Sequence, residues 1–142
     1  MADNTNQIYS SAEAPEPVGA YPHARRVGNM LFLSGVGPRE KGSESIPGVE
    51  LDENNQVRNY DVARQTHSVL KNVRAILESS GAKWEQLVDV TVFLTNMEAD
   101  FKPFNQLWKE YFPKNPPCRT TVAVNALPTP IAVELKCIAY LG

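Results

Sequence analysis

Only two cysteines occur in this chain, Cys118 and Cys137. That number supports neither a disulfide framework nor a four-cysteine metal site. Histidine is as scarce, with His23 and His67, and the four residues lack the paired spacing of a zinc centre, so no metal site is expected. Long apolar runs are missing too, and none approaches the ~20 residues that a membrane-spanning helix needs. The N-terminal MADNTNQIYSSAEAPEP is polar and acidic and has neither the basic start nor the apolar centre of a secretory signal. These absences predict a soluble protein of a reducing, cytoplasmic setting with no membrane partner. Positive charge is not in excess: 14 Lys and Arg stand against 16 Asp and Glu, a formal net charge of −2. A large nucleic-acid surface needs a basic surplus, so no nucleic-acid partner is expected, although a small basic pocket remains open. Gly35-Val36-Gly37-Pro38 is not a phosphate loop, because it leads into no helix and carries no Lys-Ser/Thr pair.

What is present fits one domain, since 142 residues bury roughly two-thirds of their unfolded surface. Residues 1–18, with Pro15 and Pro17 near their end, predict a flexible leader, and residues 19–142 a single α+β domain. YPHARRV and MLFLSG are joined by Gly28-Asn29, the signature of a tight hairpin. Residues 36–59 read as loop with a short strand around Val49 to Leu51.

Val62, Thr66, Val69, Leu70, Val73, Ile76 and Leu77 recur at three and four, which predicts a helix with one apolar stripe, Asp61 as N-cap and Gly81 just past its end. LVDVTVFLT alternates as a strand, Val88, Val90, Val92 and Leu94 against Asp89, Thr91, Phe93 and Thr95. A second helix carries Phe101, Phe104, Leu107, Trp108 and Tyr111, and Pro103 predicts that its regular part starts near that residue. Two strands follow, at about 118–125 and 131–141. The order β-β-(β)-α-β-α-β-β predicts a mixed sheet with two helices on one face.

Two charges stand inside the last two strands, Arg119 and Glu134. Alternation groups Cys118, Thr120, Val122 and Val124 on one side of the first, and Ile131, Val133, Leu135, Cys137 and Ala139 on one side of the second. If those apolar sides meet the helices, Arg119 and Glu134 share the other face with Asp89, Thr91 and Phe93. A cross-strand ion pair on a solvated sheet is one reading of that face, and a pocket or subunit contact is the other. His67 reads as a partly exposed structural residue of the first helix, and Trp84 and Trp108 as packing residues.

GAYPHARRVGNMLFLSG, LESSGAKWEQLVDVTVFLTNMEADFKPFNQLWKEYF and PPCRTTVAV…VELKCIAY together resemble the Rid (YjgF-type) family of reactive-intermediate deaminases over roughly residues 17–141. The resemblance implies a chorismate-mutase-like fold, a homotrimer alone or stacked as a hexamer of two trimers, and pockets between subunits. It implies hydrolysis of enamines or imines of α-keto acids with no cofactor. On this likeness Arg119 clamps the substrate carboxylate and Glu134 positions or deprotonates the attacking water. Tyr21, Ser34, Gly35 and Asn105 match further residues of the family's site, and Thr121 stands where the family often has cysteine. YPHARRVG resembles the branch that deaminates 2-aminomuconate, giving the 2-oxo dicarboxylic acid and ammonia in aromatic-compound degradation. A general 2-iminoacid or enamine deaminase, or a non-catalytic ligand-binding regulatory trimer, are the alternatives. A dicarboxylic substrate needs a second cation. Of His23, Arg25 and Arg26, alternation sets His23 and Arg25 on the side of Tyr21 and makes them the expected pair.

Overall fold

The computed structural model describes residues 6–43 and 45–142. Residues 1–5 of the expected leader and Glu44 of the expected loop lie outside the described residues. The strands are β1 (Asn6–Tyr9), β2 (Ala24–Val27), β3 (Met30–Leu33), β4 (Val49–Leu51), β5 (Val57–Tyr60), β6 (Leu87–Leu94), β7 (Cys118–Ala123) and β8 (Val133–Tyr140), and the helices are α1 (Val62–Ser79) and α2 (Met97–Tyr111). Six strands form one sheet in the order β1-β2-β3-β8-β6-β7, while β4 and β5 pair separately. All neighbours in the large sheet are antiparallel except β6 and β7, which run parallel with α2 as their crossover. No helix among the described residues is long and apolar enough to cross a membrane.

The local signals explain most of these elements. Gly28, at φ 60°, turns β2 into β3. The Asp61 carboxylate accepts from the Ala63 and Arg64 amides and starts α1. Gly81, at φ 76°, ends it, with the Ala82 amide donating back to the Leu77 carbonyl. The predicted stripe of α1 is buried in full. It packs on the sheet with Val90, Val92, Leu94, Val133, Leu135, Cys137 and Ala139, and Phe104 and Trp108 of α2 close the same core.

Four expectations are corrected. The segment read as a leader is built into the fold from residue 6, because β1 pairs with β2 and both Ser11 and Ala14 are buried. Val88 leaves the apolar face and is exposed, because the pairing of β6 with β8 shifts between Leu87 and Asp89, a bulge that hands the core position to Leu87. The helix α2 begins at Met97, six residues before Pro103. Asn96 caps it through the Ala99 amide, Glu98 and Asp100 complement its positive end, and the proline forfeits only the bond to the Ala99 carbonyl. The fourth correction concerns β7. Its parallel register sets Arg119 beside Val90 and Thr121 beside Val92, so both lie on the helix-covered face and not with Glu134.

Asp100, buried on α2, accepts a 2.6 Å hydrogen bond from the Tyr60 hydroxyl and so fastens the small β4–β5 ribbon to the domain. Burial raises the Asp100 carboxyl above its ordinary value, against the opposing effect of the tyrosine bond. The tyrosine is itself pushed up to about 12 by burial and by Asp100. Tyr60→Phe leaves a buried carboxylate without its donor and should cost about 1–3 kcal/mol. Because the folded state already holds the Asp100 proton more tightly than the unfolded chain, charging it as pH rises costs stability, and the variant feels this more. Denaturation of both proteins should therefore show a gap that widens from about pH 4 to neutrality; a constant or shrinking gap would contradict the pairing.

Candidate active site

Two groups of polar residues stand on opposite sides of the sheet. The first is built by β7 and α2. Arg119 sits at the sheet edge beneath α2, with its guanidinium carbon 5.9, 5.7 and 5.2 Å from the ring centres of Phe101, Phe104 and Trp108. One terminal nitrogen donates to the Asn105 side-chain oxygen at 2.8 Å. The aromatic bed and the asparagine fix the plane of the fork and leave its other donors for an anion. Burial pulls this guanidinium below its ordinary value, yet arginine stays charged. Thr121 lies two residues on, and its hydroxyl is buried with no hydrogen-bond partner among the described residues.

The second group begins at Glu134, which projects from β8 to the helix-free face and is abutted by Gly35. A Cβ on Gly35 would stand 3.1 Å from the Glu134 carboxyl carbon and 3.1 Å from Oε2. Glycine fits here without disturbance; a Cβ would push the end of the Glu134 side chain aside by a few tenths of an ångström. The Ser34 hydroxyl donates to the Pro22 carbonyl at 2.7 Å, and its amide donates to the His23 carbonyl at 3.0 Å. The Tyr21 ring folds back against Gly19, where an added Cβ would meet Cε2 at 2.9 Å. Tyr21, His23, Ser34 and Gly35 line one concavity together with Arg39 and the arm residues 14–17. Burial raises the Glu134 carboxyl above its ordinary value, the direction that suits a proton acceptor working near neutrality.

The structure thus brings together Tyr21, Ser34 and Gly35 on one concavity, with Gly35 alone abutting Glu134, and separately Arg119, Asn105 and Thr121. It does not bring Arg25 to the concavity: that side chain is exposed on β2 and its Nε donates to Asn6. His23 does line the concavity, but both ring nitrogens are occupied. Its Nδ1 accepts from the Ser11 amide at 2.8 Å, and Nε2–H donates to the Pro15 carbonyl at 2.8 Å. The expected His23–Arg25 pair is therefore not a pair, and His23 is the latch of the arm. Arg26 donates to the Gly28 carbonyl and the Asn29 side chain. The cation that does reach the concavity, Arg39, stands in a segment that sequence reasoning read only as loop.

His67 is exposed and bonded through Nδ1 to the Tyr111 hydroxyl at 2.6 Å. Trp84 stacks on Phe112, and Trp108 is buried. Cys137 is fully buried, which drives its thiol up to about 12 and makes it inert.

The model of the endoribonuclease L-PSP family matches residues 11–141. The chain belongs to this family, the Rid or YjgF family. Among Rid relatives, a RutC family protein of Pyrococcus abyssi is 34% identical over 134 residues, spanning 94% of this chain and 96% of its own length. The 2-iminobutanoate/2-iminopropanoate deaminase of Dermatophagoides farinae is 35% identical over 136 residues, spanning 95% of this chain and 96% of its own. Among solved structures of the same fold, Escherichia coli TdcF with bound serine superposes with a TM-score of 0.80 at 29% identity, covering 94% of this chain and 98% of that one. The expected chorismate-mutase-like α+β architecture is the Rid fold.

The raised Glu134 carboxyl carries a stability consequence. The folded state binds its proton more tightly than the unfolded chain, so stability is lost as pH rises through the folded value. Glu134→Gln removes that burden. Its melting temperature should match or exceed the wild type at neutral pH and lose any advantage in acid. A variant that melts lower at neutrality would mean that the charge stabilises the fold.

Proposed function

We propose that this Rid protein hydrolyses enamines and imines of α-keto acids, that it works as a homotrimer, and that each site joins Arg119 of one copy to Glu134 of the next. The observation that carries the reading is the placement of these two residues. Each is a half-buried charge built into a strand, and the sheet itself stands between them. Within one chain they cannot grip the same molecule. A neighbour that docks its β7 edge against the helix-free face of the next copy would bring them together. That face supports such docking, because it presents Ile8, Val27, Phe32 and Tyr140, all exposed, beside Phe93 and Ile138. Exposed apolar area of this kind marks an interaction surface, and cyclic closure is the common solution for identical copies.

The chemistry asks for little more. The enamine tautomerises to the imine by moving one proton from nitrogen to carbon. Arg119 holds the carboxylate next to the reacting carbon in a bidentate fork. Water adds to the C=N carbon while Glu134 takes one of its protons and passes it to the nitrogen, giving a neutral carbinolamine. Glu134 then takes the hydroxyl proton and delivers it to the nitrogen as the C–N bond breaks and C=O forms, leaving a 2-oxo acid and ammonia. Its raised proton affinity suits both steps. The name of the mite relative, a deaminase of two short 2-imino acids, supports the general reaction. The finer reading is 2-aminomuconate as substrate, supported by the likeness of YPHARRVG to that branch. TdcF has been solved with bound serine, which favours as second reading a regulatory binder of small carboxylic ligands in the same pocket.

Arg119→Ala should lower kcat/KM by about 30-fold to several thousand-fold, the cost of truncating one partner of a desolvated charge contact. Glu134→Gln should lower turnover by about 100- to 10,000-fold with analogue binding kept. The two inactive variants, unfolded and refolded together in equal amounts, should recover about one quarter of the wild-type ammonia release from an enamino acid, because that share of random interfaces joins an intact Arg119 to an intact Glu134. No recovery would place both residues' work within one copy and sink the shared site. Survival of both rate and affinity in Glu134→Gln would favour the binder.

A further inference from the structure

We propose that Lys136 is a positioning residue of the site: its ammonium clamps the strand break that sets Gly35 against Glu134, and so fixes the surroundings of that carboxyl without touching substrate. The inference rests on the reading above, in which Glu134 handles the protons. Lys136 is a half-buried cation two residues along β8 from Glu134, on the same helix-free face. Its neighbour across β6 is Thr91, which carries no charge. Among the described residues no carboxylate lies within ion-pair distance of it. Its Nζ donates instead to the backbone carbonyl of Leu33. A cation drawn partly out of water and fastened to one carbonyl calls for a physical reason.

Leu33 marks the place where β3 parts from β8. Regular pairing runs from Met30 with Tyr140 to Phe32 with Ile138, and resumes as a single bridge of Val36 with Leu135. Residues 33–35 thus stand against residues 136–137, a bulge of one extra residue. The core requires it. Leu33 and Val36 are an odd number of positions apart and would face opposite sides of a regular strand, yet both are buried in the same core. The extra residue turns Val36 back to that core, where its amide and carbonyl bond Leu135 at 2.8 and 2.9 Å. The bulge contains Ser34 and Gly35. Ser34 is tied away from β8, to the His23 and Pro22 carbonyls, and Gly35 is left as the residue that abuts Glu134.

Lys136 closes this bulge from the other strand, by a charged cross-strand bond to the residue that precedes Ser34. The clamp reaches Glu134 through the backbone of Gly35, which occupies one side of the carboxyl and helps to keep water from it. That burial raises the proton affinity of the carboxyl. A nearby ammonium acts in the other direction, because it favours the ionised carboxylate. A clamping role and a bare charge effect of Lys136 therefore have opposite signs, and titration tells them apart. The other titratable groups toward this site are Asp89, exposed farther along β6, Tyr21 and His23 on the concavity beyond Ser34 and, in the proposed assembly, a neighbour's Arg119. A substitution at Lys136 leaves all of them in place.

Carboxyl carbon-13 NMR of glutamate-labelled protein follows Glu134 directly, its signal identified by its loss in Glu134→Gln. Lys136→Met keeps the stem and removes the donor. In that variant the Glu134 midpoint should move down, and the Ser34 amide should exchange with solvent about 10-fold faster while the buried Val92 amide keeps its rate. Lys136→Arg keeps a donor and should leave both readings near wild type. In the ammonia assay Lys136→Met should lower kcat by about 10- to 100-fold with KM little changed, the effect of a small misplacement of a reacting group. A Glu134 midpoint that rises or stays in Lys136→Met, an unchanged Ser34 exchange rate, or an arginine variant that behaves as the methionine one, would each overturn the clamp. So would an unchanged kcat in Lys136→Met when wild type is active. If titration and exchange behave as expected but wild type releases no ammonia from any enamino acid, the clamp stands and the deaminase reading fails.

Discussion

The strand β8 lies between β3 and β6, and every second side chain on it is sealed under the helices. Val133, Leu135, Cys137 and Ala139 have no exposed surface at all. Fully burying one leucine or valine is worth roughly 1.5–3 kcal/mol, so a slip of one residue would forfeit several such terms at once and expose them on the far side. That constraint pins the intervening residues as firmly as the core ones. Glu134 faces away from the helices because its neighbours cannot, and the close pass of Gly35 then shuts it against the backbone and lifts its proton affinity.

The same register propagates outward to β6 and, through the parallel pairing, to β7. There the helix-covered face reaches the margin of the sheet, where α2 offers aromatic rings rather than a closed core. An arginine survives in that place because the rings carry its stem and its charge, and Asn105 takes one of its donors. The consequence is a separation of charges. One face presents a cationic fork at its edge, the other a carboxyl of raised proton affinity, and the proposed assembly of identical copies follows from the fact that a sheet has two sides. The concavity beside Gly35 is furnished largely by segments without regular structure, and α1 steadies them by lending polar side chains to their carbonyls.

Much of the fold was legible because its signals are local. The stripe of α1, the Asp61 cap, the Gly28 turn and the alternation of β8 each depend on residues a few positions apart. The missed strands had no such signal. β1 and β5 are four residues long and expose nearly every side chain, so neither has a buried face to show period two. The start of α2 was misjudged because a proline was weighed above an asparagine cap. The resemblance to the Rid family was sound, but the geometry of the candidate site was not legible. His23 and Arg25 have the same chemistry on paper; in the fold one is latched to the arm and the other bonds Asn6 at the sheet's edge.

By itself the sequence determined that two helices would cover one face of a mixed sheet, that β8 would bury its odd-numbered residues, and that an arginine and a glutamate would stand in strands where charge is expensive. Local patterning carries that much, since side-chain period and caps are properties of neighbours along the chain. Only the tertiary structure decided that Arg119 lies on the helix side and Glu134 on the other. Val122 and Val124 made the opposite assignment look natural, and nothing within 118–125 overrides them. The deciding contact is the pairing with β6, a strand about thirty residues away in sequence, whose register is set by a crossover and by aromatic side chains of α2. The placement of Arg39 was hidden for the same reason: Asn72, Ser68 and Glu16 hold its loop, and those partners meet it only in space.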